Sequence, residues 1–402
     1  MESRVRQQSR RGFFRTTAAG IGCAALGVSG CGHGNEPFPG ETGGGRISVP
    51  DPIKAFCVDF NWLFEGQEGW PNRFAKPGHW ADASPQEHVA WYKALGANVL
   101  QTFAVSCNGY AWYKDGFVPP QPGLQHDFLK EVVRLGHRED LMVMAYFCAG
   151  ANTKWAMDHP ELSYGTPSTL HIPFTDEYLD YLGASIKDAV SKTGIDGFMI
   201  DWVWNPRDEL RSDGWIEAEK KLYTQLTGEN FPATGEPADE DKLQYEHQAI
   251  DRCWRRVQEA AKTTRPDCVI WLSCNNITDP TVVDSRMLRE VDWLMNEAPT
   301  EEYFDAGKKM MGADGRLIQC LVGWAEHDAR SYLAELKAKK RDLYGFALPG
   351  DTSLPLPIEE CLSKPIESFT GDDLVSANDR NIAALARFYN DLPLDTVKPA
   401  ST

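Results

Sequence analysis

The sequence has no CxxC pair and no HExxH signature, and its nine histidines are scattered along 402 residues. No metal site is therefore expected, because structural and catalytic zinc centres draw their ligands from such close spacings. No GxGxxG follows the first apolar run and no P-loop occurs, so nucleotide chemistry lacks its usual phosphate cradle, and no organic cofactor is expected. Positive charge is also scarce, with 41 Lys and Arg against 58 Asp and Glu and a formal charge of -17. No basic run relieves that balance, so the average surface repels nucleic acid and no nucleic-acid partner is expected. Apolar runs stay short of the roughly 20 residues a bilayer span needs.

What is present at the N-terminus reads as an address. Ser9-Arg10-Arg11-Gly12-Phe13-Phe14-Arg15 precedes a modest apolar run from Ala18 to Val28, which closes on Val28-Ser29-Gly30-Cys31. A basic region, an apolar region and small residues before a cut site make an export signal. The paired arginines resemble a bacterial twin-arginine signal, and the last four residues resemble a lipobox. Residues 1–31 are thus expected to be a signal with Cys31 as the lipidated residue, and residues 32–50, rich in Gly and Pro, a flexible tether. The implied location is periplasmic or cell-surface, with membrane association through a lipid anchor rather than a transmembrane helix. Of ten cysteines, eight lie beyond this region, several inside apolar runs where a free thiol acts as a small buried hydrophobe.

From Lys54 onward short apolar runs alternate with longer amphipathic stretches. The runs begin at Lys54, Ala97, Leu141, Gly197, Cys268, Val291, Leu317 and Leu343. Helices are expected after them at Pro85–Gly96, Asp127–His137, Asp176–Lys192, Trp215–Thr264 with a break near Gly228 to Asp239, Glu301–Met311, Asp328–Lys340 and Ala377–Asn390. Ser84 ahead of Pro85 and Glu87 is a capping box, and Gly194 is a helix stop. Near-continuous apolar strands suit a parallel sheet covered by helices. Eight such units fit an α/β fold, a (β/α)₈ TIM barrel over residues 51–395.

Chemistry in such a barrel gathers at the C-terminal ends of the strands. The first run ends in Asp59, Asn61 and Trp62, and the second leads into Asn108, Trp112 and Tyr113. The fourth ends in Asp201-Trp202-Val203-Trp204, the fifth in Asn275, the sixth in Glu297, the seventh in Trp324 and Glu326, and the eighth in Asp351. Carboxylates and indoles at one rim suit a sugar: indole faces stack on pyranose rings, while two carboxyls flank a glycosidic bond, one attacking or activating water and one protonating the leaving oxygen. Asp201 is the first candidate and Glu297 the second, with Glu326 and Asp351 as further candidates for the acid. The remaining rim residues, Asp59, Asn61, Trp62, Asn108, Trp112, Tyr113, Trp202, Trp204, Asn275 and Trp324, are candidate substrate contacts. By strand alternation Asp201 faces with Met199 and Val203, opposite the tryptophans.

Two segments resemble a known family. The run from Asn98 to Trp112 resembles the second-strand region of the bacterial α-L-fucosidases, and Thr193-Gly-Ile-Asp-Gly-Phe-Met-Ile-Asp201 is similar to the segment that ends in that family's nucleophile. The resemblance spans roughly Lys54 to Gly228. It implies a retaining glycosidase on a (β/α)₈ barrel, without metal or organic cofactor, with Asp201 as nucleophile. Ser106 and Cys107 stand where the family has paired histidines, and Asp59-Phe60-Asn61-Trp62 stands where it has a His-Trp pair. The paired histidines bind sugar hydroxyls in that family, so their replacement bears on fucose specificity and leaves the sugar of a related α-glycosidase open. The acid/base residue moves within the family, so Glu297 rests on the strand-end argument alone. The expected function is a glycoside hydrolase acting on an oligo- or polysaccharide, and the alternative is a catalytically silent carbohydrate-binding barrel.

Overall fold

A computed structural model describes residues 48–63, 69–166, 169–274, 276–297, 300–321, 329–349, 352–369 and 374–394. The expected signal, Cys31 and all but the last three residues of the expected tether lie outside the described residues, as do Asn275, Trp324, Glu326 and Asp351. The strands are β1 Lys54–Val58, β2 Val99–Gln101, β3 Met142–Cys148, β4 Tyr164–Thr166, β5 Thr169–His171, β6 Gly197–Asp201, β7 Val269–Cys274, β8 Trp293–Asn296, β9 Arg316–Cys320 and β10 Asp342–Ala347. The helices are α1 Pro85–Leu95, α2 Phe128–Arg138, α3 Thr153–Asp158, α4 Asp176–Thr193, α5 Glu217–Thr227, α6 Asp239–Thr264, α7 Arg286–Glu290, α8 Glu301–Met310, α9 Ala329–Ala338, α10 Ile358–Ser363 and α11 Leu374–Tyr389.

Eight of these strands close into a parallel barrel in the order β1-β10-β9-β8-β7-β6-β3-β2, while β4 and β5 form a separate antiparallel hairpin. This is the expected (β/α)₈ architecture, with every anticipated apolar run supplying one barrel strand. The second strand is shorter than its apolar run, because the chain turns away after Gln101 and Val105 bridges back to Ala111. The hairpin was not anticipated: its strands are three residues each, too short to establish an alternating pattern.

Local signals act as expected. Ser84 Oγ accepts from Glu87 N at 3.3 Å and starts α1. Thr175 caps α4, which ends on Gly194 at φ 75, a left-handed position that glycine fills without a Cβ clash. The break near Gly228 separates α5 from α6.

The N-terminal ends of the strands repeat one device. A polar side chain at the foot of a strand accepts the backbone amide of the neighbouring strand, satisfying a donor that the parallel ladder leaves open. Asn98 Oδ1 takes Lys54 N at 2.7 Å, and Asp196 Oδ2 takes Val143 N at 2.8 Å. Asp292 Oδ2 takes Ile270 N at 2.7 Å, and Asp342 Oδ1 takes Ile53 N at 2.8 Å. Midway up, the interior is filled by large rings: Trp271 lies 5.1 Å from Tyr344 and 5.5 Å from Trp293, and Tyr344 Oη donates to Gln101 Oε1 at 2.8 Å. The barrel is a packed core with its open end at the strand C-termini. The eight described cysteines are all buried free thiols.

Candidate active site

Register decides which side chains meet above that aromatic layer. Met199, Trp271 and Trp293 are successive neighbours across β6, β7 and β8, and so share the inward face. Two residues further on, the same face carries Asp201 on β6 and Ser273 on β7, and Glu297 continues it past the end of β8. Asp59 occupies the corresponding place after β1, with its amide bonded to Ala347 O at 2.8 Å. All three carboxylates are buried: Asp59 and Asp201 are 2% exposed and Glu297 is 8%.

Each is positioned by polar neighbours. Asp201 Oδ2 accepts from Tyr146 Oη at 2.9 Å and Oδ1 from Trp202 N at 2.9 Å. Glu297 Oε1 accepts from Ser273 Oγ at 2.9 Å. Asp59 Oδ1 accepts from Asn61 N at 2.9 Å, and Asn61 Oδ1 in turn takes Cys107 N at 2.8 Å, which ties the first loop to the second. Cys274 follows Ser273 at the end of β7 and is buried. Burial pushes its pKa up, and the negative charges of Glu297, Asp279 and Asp201 push it further the same way. The β6–β7 register sets Asp201 beside Ser273 on the inward face, and Ser273 Oγ bonds Glu297, so one hydroxyl stands between the two carboxylates at the strand ends.

Directly after Asp201 the strand geometry ends. Trp202 adopts φ 56, an uncommon conformation for a bulky residue, and the alternation expected from sequence stops there. The consequence is an aromatic wall. Trp202 lies 5.2 Å from Trp204 and 6.5 Å from Trp62, and Phe74 lies 4.8 Å from Trp62. His171 of the β4–β5 hairpin stacks over Trp202 at 6.2 Å and 19°.

Other candidates are placed elsewhere. Trp112 is buried in the outer packing: it stacks on Phe60 at 4.4 Å and its Nε1 donates to Ser106 Oγ at 2.6 Å. Tyr113 is fully buried and bonds Asp188 of α4 at 2.9 Å, in the helical layer. Asn108 holds the second loop together, with Oδ1 accepting from Tyr110 N and Gln121 Nε2 at 3.1 Å each and Nδ2 donating to Ala75 O at 3.2 Å. Sequence reasoning missed Tyr146, Ser273 and His171. The first two were findable, since each stands at an inward strand position beside β6, Ser273 level with Asp201 and Tyr146 level with Met199, two residues below it; His171 had no signal.

Beside the carboxylates opens a cavity of about 280 Å³, whose lining includes Trp204, Asn205, Asp208, Glu246, Ser273 and Asp279. Asp201 and Glu297 are not part of that lining. Among the described residues no three His, Cys, Asp or Glu side chains are grouped as a metal-ligand set.

Comparison with known proteins places this geometry in context. Residues 84–202 match the model of a family described as hypothetical glycosyl hydrolase 6, a segment running from the cap of α1 to just beyond Asp201. No curated protein matches the chain. Among solved structures, α-L-fucosidase isoenzyme 2 from Paenibacillus thiaminolyticus is 14% identical with a TM-score of 0.57, over 84% of this chain and 49% of that one. A β-galactosidase from Bacillus circulans sp. alkalophilus is 13% identical with a TM-score of 0.49, over 76% of this chain and 51% of that one. A β-galactosidase from the psychrophilic Marinomonas ef1 is 12% identical with a TM-score of 0.48, over 85% of this chain and 61% of that one. This chain thus spans about half of the fucosidase and of the Bacillus enzyme, and somewhat more of the third. At such identities the fucosidase likeness establishes a shared barrel fold and singles out no substrate. Among the described residues, no helix is long and apolar enough to cross a membrane.

Proposed function

We propose that this protein is a glycoside hydrolase of the retaining type, with Asp201 as nucleophile and Glu297 as acid/base. The observation that carries the reading is the register of β6 and β7, which sets buried Asp201 beside Ser273, whose hydroxyl holds buried Glu297. Tyr146 and the Trp202 amide hold Asp201 so that one oxygen can approach an anomeric carbon, and Ser273 holds Glu297. In the first step Asp201 attacks that carbon while Glu297 gives its proton to the leaving oxygen. In the second, Glu297 takes a proton from water, which displaces Asp201 and releases the sugar with its configuration retained. Trp62, Trp202 and Trp204 supply ring faces against which a sugar stacks. The α-L-fucosidase resemblance supports an α-glycosidic substrate, and the replacement of the family's histidines by Ser106 and Cys107 favours a different sugar. We further propose export by the N-terminal signal and anchoring through Cys31.

A panel of aryl glycosides, with NMR of the released anomer, tests this reading. The expected result is turnover of at least one α-glycoside with retention, abolished in Asp201→Asn. Inversion would reassign Asp201 to general base, and full turnover in Asp201→Asn would remove its role. A second reading, a silent carbohydrate-binding barrel, is favoured by one observation: the open cavity lies beside the two carboxylates rather than over them. Sugar binding without turnover of any glycoside would select it.

A further inference from the structure

We infer that the cavity between the loop after β6, helix α6 and the loop after β7 is a subsite for one uncharged sugar unit, with Asn205 and Glu246 as its hydroxyl-binding groups. The inference rests on the carbohydrate reading above but not on its hydrolytic chemistry.

Asn205 lines the cavity and is 6% exposed, yet its Oδ1 accepts no hydrogen bond from any described residue. A buried acceptor left open costs about 1–3 kcal/mol, so a donor is expected to complete it when the site is occupied. The Asn205 amide is not free to turn away, because its Nδ2 donates to Glu246 O at 3.1 Å. Glu246 approaches from α6. Burial raises the pKa of its carboxyl while Arg211 opposes that shift, and Arg211 Nη1 holds one oxygen, Oε1, at 3.3 Å. A carboxyl in that setting accepts from one sugar hydroxyl or donates to another.

The framework behind these groups is rigid. Arg211 is 1% exposed and grips Glu219 through Nη2 at 2.6 Å and Nε at 3.2 Å. Tyr245, one residue before Glu246, donates to the same Glu219 at 2.9 Å, and the Arg211 guanidinium lies 4.1 Å over the Trp215 ring. Arg211 thus ties the loop that follows Asn205 to Glu219 of α5, and Tyr245 and Glu246 bring α6 onto the same cluster before any ligand arrives.

The rest of the lining selects the ligand. Trp204 offers a ring, and Pro206, Leu272, Val282 and Met287 offer apolar surface, which together suit the two faces of a pyranose. Acidic lining residues are Asp208, Glu209, Glu246 and Asp279, against Arg207; Lys242 pairs with Asp208 and Arg211 with Glu246, and Glu209 and Asp279 keep the balance negative. A carboxylated or sulfated sugar would meet that excess of negative charge, whereas an uncharged one would not. The cavity is also continuous with the candidate centre: Ser273, which holds Glu297, lines it.

The test is calorimetric titration of the full chain carrying Asp201→Asn, which holds substrate without consuming it. The probes are neutral trisaccharides of glucose, of galactose and with terminal fucose, together with a galacturonate trimer. Binding of at least one neutral probe is expected, weakened about tenfold or more by Asn205→Ala and by Glu246→Gln, each a lost buried hydrogen bond. The galacturonate trimer should bind at least about tenfold more weakly than the neutral probe. Trp204→Leu removes a ring from the lining; Trp204 takes part in none of the hydrogen bonds described above for Arg211 or Glu246, so this variant keeps the test open if either other variant fails to fold. Affinities untouched by all folded variants, tighter binding of the galacturonate trimer, or no binding of any probe would overturn the subsite. Hydrolysis is scored separately on the unsubstituted chain. Binding that depends on Asn205 without hydrolysis keeps the subsite and removes the hydrolase; hydrolysis with affinities indifferent to Asn205, Glu246 and Trp204 does the reverse.

Discussion

The two ends of the barrel surround their carboxylates with different partners. At the N-terminal end, each acidic side chain meets a basic partner and a backbone amide together. Asp342 receives Arg316 Nε and Nη2 at 2.8 Å each and also Ile53 N, Asp292 receives Lys262 Nζ at 2.7 Å and Ile270 N, and Asp196 receives His137 at 2.9 Å and Val143 N. These groups lock neighbouring strands at their feet. At the C-terminal end, Asp201 and Glu297 receive hydroxyl groups, from Tyr146 and Ser273. A neutral donor orients a carboxylate without cancelling its charge, which leaves it able to attack or to exchange a proton. On the function proposed above, the lower carboxylates serve stability and the upper ones chemistry.

Substitution by the matching amide is the sharpest way to break this contrast. Asp201→Asn should cost at least about 10⁴-fold in kcat, roughly 5.5 kcal/mol of barrier, since no other group replaces the attacking oxygen. Its melting temperature should stay close to that of the unsubstituted chain. A large loss of stability with retained turnover would place Asp201 with the structural set.

A second buried group near the upper end is sensitive to acid. His88 is pressed between Phe60 and Phe128 and meets Ser353 Oγ at 3.2 Å. Burial pushes its pKa down to about 3. The unfolded chain therefore takes up a proton below about pH 6.5 that the folded chain refuses until about pH 3. Its stabilising effect is fully present above that window and lost as pH falls through it, by on the order of 5 kcal/mol. Unfolding in urea as a function of pH should show this slope, and His88→Gln should flatten it.

At the other end, Asp342→Asn should destabilise by about 2–3 kcal/mol, because it removes the charge facing Arg316 and weakens the bond to Ile53. The folded fraction should keep its kcat. Loss of turnover beyond the loss of folded protein would mean that the two ends are not independent.

How far this contrast could be read from sequence depends on the length of the pattern involved. Barrel strands and their flanking helices carry several residues of periodic signal, and all eight runs were legible. Strand alternation also identified the inward face of β6, and hence Asp201. It failed one residue later, because Trp202 turns to φ 56 and the tryptophans join one wall with Trp62 instead of staying opposite Asp201. Trp112 and Trp204 look alike as indoles near strand ends; what separates them is Phe60 under one and a cavity beside the other, both contacts distant in sequence. Asn205 and Glu246 had no local signature, since 41 residues separate them and only the packing of α6 brings them together.

The smallest expected effect is the most diagnostic of how the upper end works. Tyr146 is 3% exposed and lies inward on β3, one strand from Asp201, with its hydroxyl on Asp201 Oδ2 at 2.9 Å and 3.7 Å from the Cys107 thiol. Tyr146→Phe removes that hydroxyl and keeps the ring, which lies 5.0 Å from Phe103, so packing should survive. Asp201 would keep the amide of Trp202 on its other oxygen, and its orientation would loosen rather than collapse. About a tenfold fall in kcat, near 1.4 kcal/mol, is expected with KM unchanged, because a residue that positions the nucleophile acts on the reacting state more than on sugar binding. A rise in KM at constant kcat would instead put the Tyr146 hydroxyl in contact with substrate, and the neutral donor at this end of the barrel would then serve recognition rather than orientation.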